Sequence, residues 1–101
     1  MTAPQKVKGN RWEVSIVEIA KEKGLPAQRS WGSNGKSMGM AESVDCLVAG
    51  LRVQAKIRKK LASFLQVPDG CDAVFFRQDR GPGMVLMQLE DFLNLLRQEE
   101  D

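Results

Sequence analysis

Apolar positions along the chain follow two rhythms, one helical and one alternating. From Asn10 to Lys23 the residues Trp12, Val14, Ile16, Val17, Ile19 and Ala20 recur at helical spacing, and Gly24 and Pro26 end the run. Asn10 is the expected N-cap, with Glu13 at the capping-box position. At about 100° per residue, Ile16, Val17 and Ala20 all fall within about 60° of Glu13. Glu13 is therefore predicted in the middle of the inward stripe, while Glu18 and Glu22 point away. A carboxylate aimed at a core is costly unless it is paired or bound to a metal. The plainer alternative is a capping glutamate at a solvated helix end. Residues 1–8 are polar and expected to be loose.

Alternation takes over further on. A short strand is predicted within Leu25–Trp31. Ser43–Ile57 reads as a β-hairpin turning at Ala49-Gly50. That turn pairs Val48 with Leu51, Leu47 with Arg52, Cys46 with Val53 and Asp45 with Gln54. One face then carries Val44, Cys46, Val48, Leu51, Val53, Ala55 and Ile57; the other carries Asp45, Leu47, Arg52, Gln54 and Lys56. Because Leu47 lies on the second face, the Glu13 helix is expected to cover part of it. Leu61–Val67 reads as a short helix stopped by Pro68-Asp69-Gly70. Asp72–Arg77 reads as a buried strand, Arg80-Gly81-Pro82-Gly83 as a turn, Met84–Leu89 as a strand and Glu90–Glu100 as a helix. The predicted order is α-β-β-β-α-β-β-α: an α/β class fold with a mixed central sheet flanked by helices. At 101 residues the chain is read as one domain, 1–101.

Composition narrows the chemistry. The chain has no histidine and no tyrosine. That excludes His-based nucleophilic catalysis, His-bearing zinc sites, nucleases with a histidine general base, and recombinases and topoisomerases that attack DNA through a tyrosine hydroxyl. Cys46 and Cys71 are the only cysteines and form no CxxC pair. Both are read as buried thiols of a reducing cytoplasm. The N-terminal residues lack the apolar region of a secretory signal, and no apolar run approaches the ~20 residues of a membrane span. Gly35-Lys36-Ser37 lacks the first glycine of a P-loop, since position 30 is Ser30, so no nucleotide cofactor is expected.

Charge is uneven. Residues 1–60 hold 12 Lys and Arg against 5 Asp and Glu, whereas residues 61–101 hold 3 against 8. A basic surface that meets a polyanion is one reading, and general solvation is the other. Glu13, Asp45, Gln54 and Lys56 form the candidate site. Two adjacent carboxylates repel, and a divalent cation relieves the repulsion. With a lysine alongside, such a set can hydrolyse a phosphodiester without histidine. The alternative is a polar cross-strand cluster on a half-exposed sheet.

Lys8-Gly9 followed by Glu13, then a Gly/Ser loop, Val44-Asp45-Cys46-Leu47-Val48, a glycine turn and Val53-Gln54-Ala55-Lys56 together resemble the PD-(D/E)xK nuclease superfamily. Within it, the chain is similar to archaeal and phage Holliday junction resolvases, small homodimeric Mg²⁺-dependent nucleases that cut four-way DNA junctions. The resemblance runs from about residue 8 to residue 60. It implies a restriction-endonuclease-like fold, Mg²⁺ (with Mn²⁺ as substitute) and a homodimer. It also implies metal ligands at Glu13, Asp45, Gln54 and the Ala55 carbonyl, and a catalytic lysine at Lys56. Ser30 or Ser33 would match the serine of a junction-contacting loop. Arg29, Lys36, Arg52, Arg58, Lys59 and Lys60 would contact phosphates. Val44 stands where the family has proline. Gln54 replaces an acidic residue, which removes one negative charge from the site unless Glu42 moves in. Two other readings stay open: a nuclease-fold module that binds DNA or protein without cutting, and a related nuclease acting on flaps, nicks, single strands or duplex.

Overall fold

In a computed structural model of the chain, residues 4–30, 36 and 39–100 are described. The elements are α1 (Pro4–Glu22), β1 (Ala27–Arg29), β2 (Cys46–Val48), β3 (Leu51–Val53), β4 (Ala73–Phe76), β5 (Met84–Met87) and α2 (Leu89–Glu100). The class is mixed α/β, and the chain divides into two compact units, residues 1–58 and 59–101.

In the first unit, α1 begins six residues before the expected cap. Proline opens a helix without cost because a first-turn N–H has no partner to lose. Residues 4–8 are thus helical rather than loose, and Asn10 lies inside the helix instead of capping it. The predicted inward stripe holds: Ile16, Val17 and Ala20 are buried, and so is Glu13, while Glu18 and Glu22 are exposed.

β1, β2 and β3 form an antiparallel sheet in that order. Ala27, Gln28 and Arg29 pair with Val48, Leu47 and Cys46; Cys46, Leu47 and Val48 pair with Val53, Arg52 and Leu51. The predicted pairs Cys46–Val53, Leu47–Arg52 and Val48–Leu51 are therefore observed, whereas the predicted Asp45–Gln54 pair is not, the Asp45 N–H bonding to Val53 instead. Its turn has positive φ at both Ala49 (49°) and Gly50 (82°), as a right-twisted two-residue hairpin needs. The Ala49 N–H also donates to the Pro26 carbonyl at 2.8 Å, tying the turn to the strand beside it.

The expectation about faces is corrected. Directly paired residues share a face, so Arg29 stands on the Cys46 side of the sheet. Arg29 contacts Glu13 of α1, and Val44, Cys46 and Val48 are buried with the helix stripe. The helix thus covers the apolar face, because that is where burial removes most hydrocarbon from water, about 1.5–3 kcal/mol for each fully buried aliphatic side chain. β3 is less covered: Leu51 and Ile57 are exposed, and the strand stops at Val53 instead of running to Ile57.

In the second unit, β4 and β5 form an antiparallel pair in which Ala73 faces Met87 and Phe76 faces Met84. The turn between them places Arg80 at φ 62°. α2 carries Glu90 and Asp91 in its first turn and Arg97 in its last, each charge opposing the helix dipole end it sits on. Two expectations fail here. Leu61–Val67 is not a helix. Seven residues are too few to repay helix nucleation, and Pro68 disfavours helical Val67, so a single turn with Leu65 N–H on Ala62 remains. β4 is not buried either, since Phe75 is 81% exposed, although Phe76 packs against Phe64 with ring centroids 6.2 Å apart. The mixed central sheet is replaced by two small antiparallel sheets, and the order is α-β-β-β-β-β-α. Among the described residues, no helix is long and apolar enough to cross a membrane.

Candidate active site

The site is built at the end of the β2–β3 hairpin, under α1. Beyond the Cys46–Val53 pair the ladder changes. The Asp45 N–H donates to the Val53 carbonyl at 2.8 Å, and the Asp45 Oδ2 accepts the Ala55 N–H at 2.7 Å. The Asp45 side chain thus replaces a main-chain acceptor and holds the outgoing strand segment. On the other edge the Ser30 N–H donates to the Asp45 carbonyl at 2.8 Å, and the Ser30 hydroxyl donates to the Val44 carbonyl at 2.7 Å. Asp45 is therefore pinned from both neighbouring strands.

Glu13 is 6% exposed. Arg29 compensates it: Nη2 and Nε reach Glu13 Oε1 at 3.2 and 3.4 Å, and Nη2 also reaches Asn10 Oδ1 at 3.4 Å. Asn10 and Glu13 are three residues apart, so the helix presents both on one face. Cys46, fully buried, lies among these charges. Burial pushes its thiol above the ordinary range, Glu13 and then Asp45 push it further up, and Arg29 draws it down.

The other expected residues are distributed as follows. Gln54 and Lys56 are exposed on the segment leaving β3, and the Lys56 ammonium has no hydrogen bond or ion pair among the described residues. Arg52 pairs with Leu47, which puts it on the face away from Arg29. Arg58 and, in the second unit, Lys59 and Lys60 are exposed; Arg58 Nη1 donates to the Ile57 carbonyl at 2.9 Å. Lys36 pairs with Glu42 at 2.6 Å, so Glu42 is engaged with Lys36 rather than standing in for Gln54. Ser30 is corrected: its hydroxyl is buried and closes a strand contact, which removes it from any DNA-facing surface. Ser33 and most of the Gly/Ser loop lie outside the described residues. Cys71 is exposed, not buried.

Two features were not anticipated. Arg29 was read as a phosphate contact and is the partner of Glu13; Asn10 was read as a cap and holds Arg29. Neither is visible along the sequence, because both follow from β1 lying beside β2 under the helix.

Among the described residues, no group of three or more acidic or thiol side chains is assembled around a metal-sized gap. Mg²⁺ needs fewer: one or two carboxylates, with waters and a substrate phosphate completing the octahedron. Asp45, bonded to the Ala55 main chain, and Glu13 fit that donor set in kind, and Gln54, exposed between Val53 and Ala55 in the chain, is an amide of the right chemistry. Arg29 occupies one oxygen of Glu13. No protein-family model, curated protein or solved structure matches the chain.

Proposed function

We propose that the chain is a divalent-metal-dependent, structure-selective DNA endonuclease with a restriction-endonuclease-like core, acting on four-way junctions as a resolvase. The observation that carries this reading is Asp45. It is clamped to the Ala55 N–H at 2.7 Å at the end of the hairpin, and the buried Glu13 lies on the helix that packs against the same sheet. A carboxylate held this firmly at a sheet end, with a second one buried on the covering helix, supplies the kind of oxygen donor a hard cation takes.

Glu13, Asp45, the Ala55 carbonyl and the Gln54 amide would hold the ion. When bound, it supplies polarisation of the scissile phosphate and a water of lowered pKa. The protein groups do the rest. Asp45 keeps its orientation through Ala55. Lys56, exposed and uncommitted, neutralises charge that builds on the phosphate oxygens. Hydrolysis joins the water oxygen to phosphorus while the ester P–O bond breaks, and the departing oxygen takes up a proton. Arg52, Arg58, Lys59 and Lys60 contact phosphates without reading bases, so binding weakens steeply with salt. Two equivalent strands in a junction call for a C₂ dimer. Two free thiols suit a cytoplasmic setting.

The test is cleavage of a four-way junction, flap, single strand and linear duplex side by side, with Mg²⁺ or Mn²⁺. The expected result is junction cutting that exceeds the other three. Preferred cutting of a flap or single strand would reassign the substrate. Binding with no cutting under either ion favours the second reading, a nuclease-fold DNA-binding module. Gln54 and the Arg29 contact on Glu13 are the observations on its side.

A further inference from the structure

β4 and β5 pair with each other and, among the described residues, with no third strand. Two strands alone are marginal in water and need a further strand or a packed partner. Directly paired residues share a face, and so do residues two apart along a strand. One face of the pair therefore carries Val74, Phe76, Met84 and Leu86, and Phe76 meets Phe64 there with ring centroids 6.2 Å apart. The other face carries Phe75 opposite Val85 and Ala73 opposite Met87. On this second face Phe75 is 81% exposed and Val85 62%.

The second face has both a protrusion and a hollow. Val85 and Met87, with Leu89 and Phe92 of α2, line an open groove of about 300 Å³. A benzene ring is held by an apolar cavity of about 150 Å³, so the groove has room for a phenylalanine side chain. At its high exposure the Phe75 ring does not fill the groove of its own chain. None of the five side chains is charged, as the centre of a protein interface requires.

We infer that this face is the interface with a second copy of the chain, in a C₂ dimer where Phe75 of each copy enters the Val85–Met87–Leu89–Phe92 groove of the other. A twofold axis lying in the interface between ring and groove exchanges the two, so the contact is made twice and the assembly closes. The area is sufficient. An aromatic side chain buries about 150–250 Å², so Phe75 alone leaves on the order of 150 Å² in water, and Val85 and Phe92 bring the patch to roughly 300–400 Å² per copy. Two such patches with their polar rims reach the roughly 1,000 Å² that a specific interface needs.

The inference rests on the apolar face and not on the metal-dependent reading. Its test uses neither metal nor DNA, so its failure leaves the cleavage comparison to judge that reading. Sedimentation equilibrium of the full chain across the micromolar range should show a mass rising to twice the 11.3 kDa of one chain. Phe75→Glu, checked for folding by circular dichroism, should raise the dissociation constant at least about thirtyfold, as a central interface residue does. Val85→Thr keeps the branched shape that strands favour and should weaken the dimer several-fold. Leu61→Ser removes a comparably exposed apolar side chain from outside the face and should leave the dimer unchanged. A monomer at every concentration would overturn the inference, as would an assembly that keeps growing past two copies, or a dimer that Phe75→Glu leaves intact. Equal weakening by Leu61→Ser would do the same, because it marks indiscriminate apolar association. If Phe75→Glu loses its fold, Val85→Thr decides, and an undiminished dimer there overturns the inference.

Discussion

Replacing Asp45 separates its structural task from its proposed chemical one. Its Oδ2 accepts the Ala55 N–H at 2.7 Å, a short bond to a charged acceptor in a half-buried place. Hydrogen bonds to charged groups contribute about 1.5–3 kcal/mol net, and partial exposure puts this one at the low end, about 1.5 kcal/mol. Asp45→Ala removes the acceptor and should cost that amount. Asp45→Asn keeps a carbonyl oxygen for the Ala55 N–H and should cost only about 0.5 kcal/mol. With a urea m-value of about 1 kcal/mol/M, the midpoint should fall by roughly 1.5 M for Asp45→Ala and 0.5 M for Asp45→Asn. Far-UV circular dichroism in a urea series measures both. In junction cleavage the ranking disappears: both variants should be inactive, because both lose the negative charge, and Asp45→Asn should still shift a junction in a gel. An Asp45→Ala protein as stable as wild type would refute the clamp. Cutting by Asp45→Asn would refute the site.

Four other outcomes are expected. Ser30→Ala should destabilise by about 1–1.5 kcal/mol, because the Val44 carbonyl loses a buried donor; a urea series reads this, and an unchanged midpoint would contradict the 2.7 Å contact. Ala49→Asn should raise stability by roughly 0.5–1 kcal/mol, since Ala49 sits at φ 49° and Asn tolerates that region better; thermal melting checks it. Native protein should react with a thiol reagent quickly at Cys71 and slowly at Cys46, with peptide mass mapping as the readout. The raised Cys46 pKa has a pH consequence. The folded thiol keeps its proton above the ordinary value of about 8.5, where the unfolded thiol has lost it, so its contribution is full below that pH and declines as pH rises beyond it. Cys46→Ser should flatten that alkaline decline in a pH series of melts.

Local signals carried much of the first unit. Helical spacing around Glu13 identified the buried stripe, including the carboxylate itself, because periodicity directly encodes which face meets the core. Ala49-Gly50 between strand formers identified the hairpin and its pairing, since a two-residue turn sets register. Leu61–Val67 misled for the opposite reason. Its apolar content suits a helix, but a helix that short depends on packing that composition does not reveal.

What the chain determined by itself is local: that α1, the hairpin, the β4 and β5 strands and α2 form, and that Glu13 turns inward. The tertiary structure decided the rest. It chose which sheet face α1 covers, paired Arg29 with Glu13, and made Ser30 a buried strand contact. Those outcomes depend on β1 meeting β2, a pairing between residues 17–21 positions apart. Such a contact forms only when its gain offsets the entropy of closing the loop between, and that balance is a property of the whole unit.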